Sequence, residues 1–181
     1  NLVPSGTVSN KVTSNYTVTV TDQATVAQLV AINAATTGAI TLNTVTGALS
    51  DTAANLAAAF AGTITTYTGA VTVTDQPTVA QLVTINNAVS GAITLDVKNG
   101  ALNDTAANLS AAFAGTITTY TGDLTVSDAA TIAQLTALGT ATSGTVSYSA
   151  LSDTASNLVP SGTVSNKVTS NYTVTVTDQA T

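Results

Sequence analysis

The chain has 181 residues, and only 7% of them are charged: nine Asp against three Lys, for a net charge of −6. Arg, Glu, His, Cys, Met and Trp do not occur. Lys11, Lys98 and Lys167 are too few to neutralise a phosphate backbone or to hold an anionic membrane surface, so neither nucleic acid nor a lipid headgroup layer is expected as partner. Without Cys there are no disulfides and no thiolate chemistry. No apolar run approaches the ~20 residues that span a bilayer, so no membrane span is expected.

The first legible element is "YTVTVTD" (16–22), which alternates with period 2. Val18 and Val20 fall on one face and Thr17, Thr19 and Thr21 on the other, the pattern of a half-buried strand. After Asp22 the period changes. In "DQATVAQLVAIN", Val26, Leu29 and Val30 stand at i, i+3 and i+4, one face of a short helix. The apolar–Thr/Ser–apolar strand core then recurs at 40–42, 71–73, 93–95, 124–126, 146–148 and 174–176. A Gly precedes five of these at Gly38, Gly69, Gly91, Gly122 and Gly144, where a turn enters the strand. Helices of two to three turns are expected after Asp51, Asp75, Asp104, Asp128 and Asp153, with Leu56 and Phe60 at i, i+4 in the second. Helices that short depend on packing for stability. Pro160 breaks the helix after Asp153, so the stretch 153–171 is expected to be irregular.

These elements repeat. "DTAANLAAAFAGTITTYTG" (51–69) returns as "DTAANLSAAFAGTITTYTG" (104–122), and "TDQATVAQLVAIN" (21–33) as "TDQPTVAQLVTIN" (74–86) and "SDAATIAQLTALG" (127–139). The first 25 residues, Asn1–Thr25, recur letter for letter as Asn157–Thr181. The chain 1–181 therefore reads as one continuous array with a 156-residue period, divided at 1–54, 55–107 and 108–156, with 157–181 opening the next period. It is expected to be an excerpt of a longer tandem array. Each unit splits at an Asp into half-units in the mid-twenties, the length of one supersecondary repeat.

Strands joined by helices are parallel and their crossovers right-handed. The expected fold is α/β: a right-handed α/β solenoid of about 25-residue strand-helix coils, with all helices on one face of a parallel sheet. Strands pack at about 4.8 Å and helices at 8–10 Å, so such a stack is curved or superhelical. A wider coil of about 53 residues, with two strands and two helices, is the alternative reading.

Three residue sets carry whatever chemistry there is. Asp22, Asp51, Asp75, Asp104, Asp128, Asp153 and Asp178 stand at the strand–helix junctions, where a carboxylate caps a helix N-terminus. A stacked row of them is also the hard-oxygen chemistry of calcium, the one cofactor considered, although each repeat supplies a single carboxylate. Gln28, Asn55, Gln81, Asn108, Gln134 and Asn157 recur once per half-unit and are expected to form an amide ladder between adjacent coils. Thr19, Thr41, Thr72, Thr94, Thr125 and Thr175 are expected to align as one exposed hydroxyl column, with Thr17, Thr21, Thr74, Thr173 and Thr177 as a partial second one. That pattern suits ice or glycan binding, or an adhesin surface, as well as an ordinary solvent face. Catalysis has little support: the one Ser/Lys pair, Ser9 and Lys11, recurs at Ser165 and Lys167 and is read as surface, so the chain is not expected to be an enzyme.

The segments "SDTAANL" and "VTVTDxxTVAQL" resemble the tandem repeats of giant bacterial cell-surface and secreted proteins, including those of cyanobacteria. The resemblance spans the whole chain. It implies an extracellular or cell-surface location and a structural or adhesive role. A filament, surface fibre or coat is accordingly expected, built by self-association or by covalent continuation of the repeats.

Overall fold

The computed structural model describes residues 15–168 and 172–178. They form a mixed α/β arrangement in two compact units, one within Asn1–Val97 with Ala114–Thr118, the other within Lys98–Phe113 with Thr119–Thr181. The first unit runs β1 (Val18–Val20), α1 (Val26–Ala35), β2 (Ile40–Leu42), β3 (Leu49–Asp51), α2 (Ala53–Ala59), β4 (Val71–Val73), α3 (Val79–Ala88) and β5 (Ile93–Leu95). The second runs β6 (Leu102–Asp104), α4 (Ala106–Ala112), β7 (Leu124–Val126), β8 (Ala129–Ala130), α5 (Ile132–Ala141), β9 (Val146–Ser147), β10 (Ala150–Asp153), α6 (Ala155–Leu158) and β11 (Thr173–Val176).

Every strand pair among the described residues is parallel. Val18 opposes Ile40, Leu49 opposes Val71, Val71 opposes Ile93, and Leu124 opposes Val146, each 22 residues on, while β8–β10 and β10–β11 are offset by 21 and 23. The helices advance differently: α1, α2, α3, α4 and α5 begin at residues 26, 53, 79, 106 and 132. A repeat thus spends more residues between helices than between paired strands, and each ladder slides out of step. The chain restores step by starting a fresh strand, β3, β6 or β10, directly before α2, α4 or α6.

This corrects two expectations. In place of one continuous sheet there are four small ones, ordered β1-β2, β3-β4-β5, β6-β7-β9 and β11-β10-β8. And the "LSD" and "LND" segments, which were not among the expected strands, are strands ending at the Asp expected to cap a helix. Their three residues hold one apolar side chain each, too few for a period to show, and the helices begin two residues beyond the Asp.

In the first unit the inward residues of the strands, Val18, Val20, Ile40, Leu42, Val71 and Val73, meet Leu29 and Ile32 of α1, Leu56 and Ala59 of α2, and Leu82 and Ile85 of α3, all buried. Burying each Leu, Ile or Val contributes about 1.5–3 kcal/mol, which holds helices too short to stand alone. The second unit repeats the scheme with Leu109, Leu124, Leu135, Leu138 and Leu151. Tyr67 and Tyr120 are completely buried and lie against Phe60 and Phe113, with ring centroids 5.7 and 5.3 Å apart. Gly91 answers a tight approach rather than an unusual φ: a Cβ there would lie closer than 3.0 Å to the backbone of Thr68 and Gly69, one register step back.

Candidate functional site

The expected threonine column is present as short runs. Thr19 stands opposite Thr41 in β1-β2, while Thr72 and Thr94 stand side by side in β4-β5 with Ser50 of β3 as a third rung. In the second unit Thr125 lies between Asn103 and Ser147, and Thr175 lies beside Ser152. Thr19, Thr41, Thr94, Thr125 and Thr175 are exposed and Thr72 is half-buried. Rungs follow at about 4.8 Å. The six threonines do not form one column, because β3 and β6 open new ladders between them. The rungs Ser50, Asn103 and Ser152 lie in β3, β6 and β10, strands the sequence pattern did not single out.

The junction carboxylates are not N-caps. The capping position belongs to Thr25, Thr52, Thr78, Thr105, Thr131 and Thr154, each accepting from the backbone N–H of the third helical residue. Asp22, Asp75 and Asp128 lie three residues before such a Thr, and Asp51, Asp104 and Asp153 one residue before. Several carboxylates cap helices in another repeat instead. Asp75 accepts from Ala53 N at 2.7 Å, Asp128 from Ala106 N at 2.7 Å, Asp153 from Ile132 N at 2.9 Å and Asp178 from Ala155 N at 2.6 Å. Each reaches back 21–23 residues to the first free N–H of the helix, so one repeat finishes the helix of its predecessor.

The expected amide ladder is corrected as well. Gln28, Gln81 and Gln134 bend back within their own helices, each accepting from the backbone N–H of its capping Thr and closing a capping box. Asn55, Asn108 and Asn157 donate at 2.8 Å to Asp51, Asp104 and Asp153, four residues before them. All six sit at the third helical position, where the side chain reaches its own helix entrance more readily than a neighbouring layer. The Asn108 amide and the Thr105 N–H hold the Asp104 carboxyl below its ordinary range. The Asn157 amide, with the Ile132 and Thr154 N–H groups, does the same for Asp153 against the opposing effect of burial.

Other amides do bridge repeats. Gln23 donates to the Tyr67 hydroxyl at 2.9 Å and accepts from Gly47 N at 3.1 Å, while that hydroxyl donates to Gly47 O. Burial pushes the Tyr67 hydroxyl pKa up, partly offset by Gln23. Asn33 donates to Ala58 O at 2.8 Å and Ala61 O at 2.7 Å, satisfying carbonyls at the end of α2. The sequence signal for these two was the recurrence of Gln23 at Gln76 and of Asn33 at Asn86, which the third copy breaks with Ala129 and Gly139.

A surface depression of about 370 Å³ lies at the start of α1 between Gln23–Ala27 and Ala48–Asp51. Ser9 and Lys11 lie outside the described residues. Among the described residues no three carboxylates gather where a metal would need them. No helix among them is long and apolar enough to cross a membrane. No protein family, curated protein or solved structure matches the chain.

Proposed function

We propose that the chain is a structural repeat protein of an extracellular filament, surface fibre or coat. Its repeats stack as turns of a right-handed α/β solenoid that lengthens without a fixed end. The observation that carries this reading is the trans capping by Asp75, Asp128, Asp153 and Asp178. A helix start is left incomplete by its own repeat and completed by the next, so the arrangement favours further repeats over a closed globule. The recurring parallel register of 21–23 residues adds support, since each new strand pairs in the same sense as the one before it. Electron microscopy of the purified chain in calcium-free buffer tests it. Unbranched filaments are the expected result, and discrete compact particles at every concentration refute it.

A second reading has its own observation. Thr19 beside Thr41, and Thr72 beside Thr94, are in-register hydroxyl rungs facing outward, the surface an ice lattice or a glycan would meet. Thr72→Leu with Thr94→Leu separates the two: filaments survive the change, whereas any thermal hysteresis or glycan retention is lost.

A further inference from the structure

The stretch Tyr172–Asp178 has the same sequence as Tyr16–Asp22, but the two are covered differently. In β1, Val18 and Val20 are each 5% exposed. In β11, the equivalent Val174 and Val176 are 37% and 47% exposed. The strand edges are complementary too. Among the described residues β1 pairs only with β2, and β11 only with β10. Tyr172 rests on Tyr148, with ring centroids 4.7 Å apart, while its counterpart Tyr16 is 66% exposed.

The hydrogen bonds of the two strands use opposite sides of the same backbone. In β11, Thr173 N donates to Ser149 O and Thr177 N to Asp153 O, both toward β10. In β1, Val18 N donates to Ala39 O and Val20 O accepts from Asn43 N, both toward β2. Val18 corresponds to Val174, so the groups used in one setting are not those used in the other. One strand of this sequence can therefore serve both neighbours at once with no donor or acceptor claimed twice.

Building on the filament reading, we infer that copies of this chain join by strand exchange: Tyr172–Asp178 of one copy takes the place of Tyr16–Asp22 in the next. The incoming strand keeps β10, Tyr148 and the Asp178–Ala155 cap of its own chain. On its other edge it gains β2 of the receiving copy, and the Thr36 hydroxyl, which now donates to Tyr16 O at 2.6 Å, donates to Tyr172 O instead. Val174 and Val176 enter the site that buries Val18 and Val20. The incoming strand is then paired on both edges, while Tyr16–Asp22 of the receiving copy is displaced from β2. The second copy fits for a stated reason: it already holds this same strand in that site.

Cysteine pairs test the junction, since the chain has no Cys of its own and both positions are exposed threonines. Exchange places residue 175 of one copy opposite residue 41 of the next, as Thr19 now faces Thr41. Adjacent rungs at about 4.8 Å lie within disulfide reach. The double variant Thr41→Cys/Thr175→Cys, oxidised under filament-forming conditions, is expected to run as a ladder of dimers and higher multimers on a non-reducing gel. Thr19→Cys/Thr175→Cys is expected to stay monomeric. The reverse pattern means that β11 abuts β1 edge to edge, and overturns the exchange. Filaments that cross-link in neither variant overturn it while leaving the fibre reading intact, and the absence of both filaments and ladders removes both.

Discussion

Helices α2 and α6 begin alike and end differently. Both follow a strand ending in Asp, both are capped by Thr, and both hold an Asn–Asp clasp at 2.8 Å, Asn55–Asp51 and Asn157–Asp153. Both bury the same leucine, Leu56 and Leu158. From there α2 continues to Ala59 and sets Phe60 against Tyr67. α6 stops at Leu158, and Pro160 opens a three-residue 3-10 turn in which Ser161 takes a φ of 53°. Pro160 stands where α2 has Ala58. It has no N–H to donate, and its ring clashes with the turn before it. Capping fixes where these helices start, and one residue further on decides their length.

Moving that residue gives the largest effect. Ala58→Pro places the α6 break inside α2, and is expected to cost about 3 kcal/mol in denaturant unfolding and to weaken the near-ultraviolet signal of the Phe60–Tyr67 pair. The reciprocal Pro160→Ala is expected to return much less. Ser161 and Gly162 occupy the places of Ala59 and Phe60, so a longer α6 has no aromatic side chain to bury. Equal and opposite changes would show that the proline alone, and not the missing core, separates the two helices.

Glycines sharpen the contrast between repeat contacts and helix surface. Gly91→Ala drives a Cβ into the backbone of Thr68 and Gly69, and is expected to cost about 1–3 kcal/mol as the layers are forced apart. Gly139 lies within α5 with nothing inside 4 Å of its would-be Cβ. Gly139→Ala is expected to stabilise by about 0.5–1 kcal/mol. Thermal or denaturant midpoints of the two variants should move in opposite directions; a shift in the same direction would remove the close-approach account of Gly91.

The strands with two inward β-branched or leucine residues, such as Val18-Thr19-Val20 and Ile40-Thr41-Leu42, were legible because alternation needs only three positions when both outer ones are apolar. The irregular stretch after Asp153 was legible from Pro160. Leu49–Asp51 and Leu102–Asp104 were not, since their pairing partners, not their own pattern, make them strands. The same holds for the site. Hydroxyl rungs follow from period 2, but which rungs are neighbours depends on where ladders break. That is set by the mismatch between strand register and helix advance. The carboxylates carried the right chemistry, an acceptor for a helix N-terminus, on the wrong helix: a cap in trans over 22 residues leaves no local spacing to read.

The clasp that α6 shares with α2 gives the smallest and most specific prediction. Asp153 has its pKa lowered on folding, first by the Asn157 amide and then by the Ile132 and Thr154 N–H groups. Asp104 is lowered first by Asn108 and then by Thr105 N. A carboxyl depressed in the folded state binds its proton more readily when unfolded. Its contribution is therefore complete above the unfolded value of about 3.9 and is lost as pH falls through the lower folded value. Asn157→Ala removes the leading cause at Asp153 and keeps the backbone donors. It is expected to lower stability most above about pH 4, where the Asp153 carboxylate is ionised, and the two chains are expected to converge as pH falls toward about 2. Urea midpoints measured from about pH 6 to pH 2 read this directly. Superimposable acid profiles would mean that backbone N–H groups alone set the Asp153 carboxyl, and that the clasp orients the helix entrance without holding its charge.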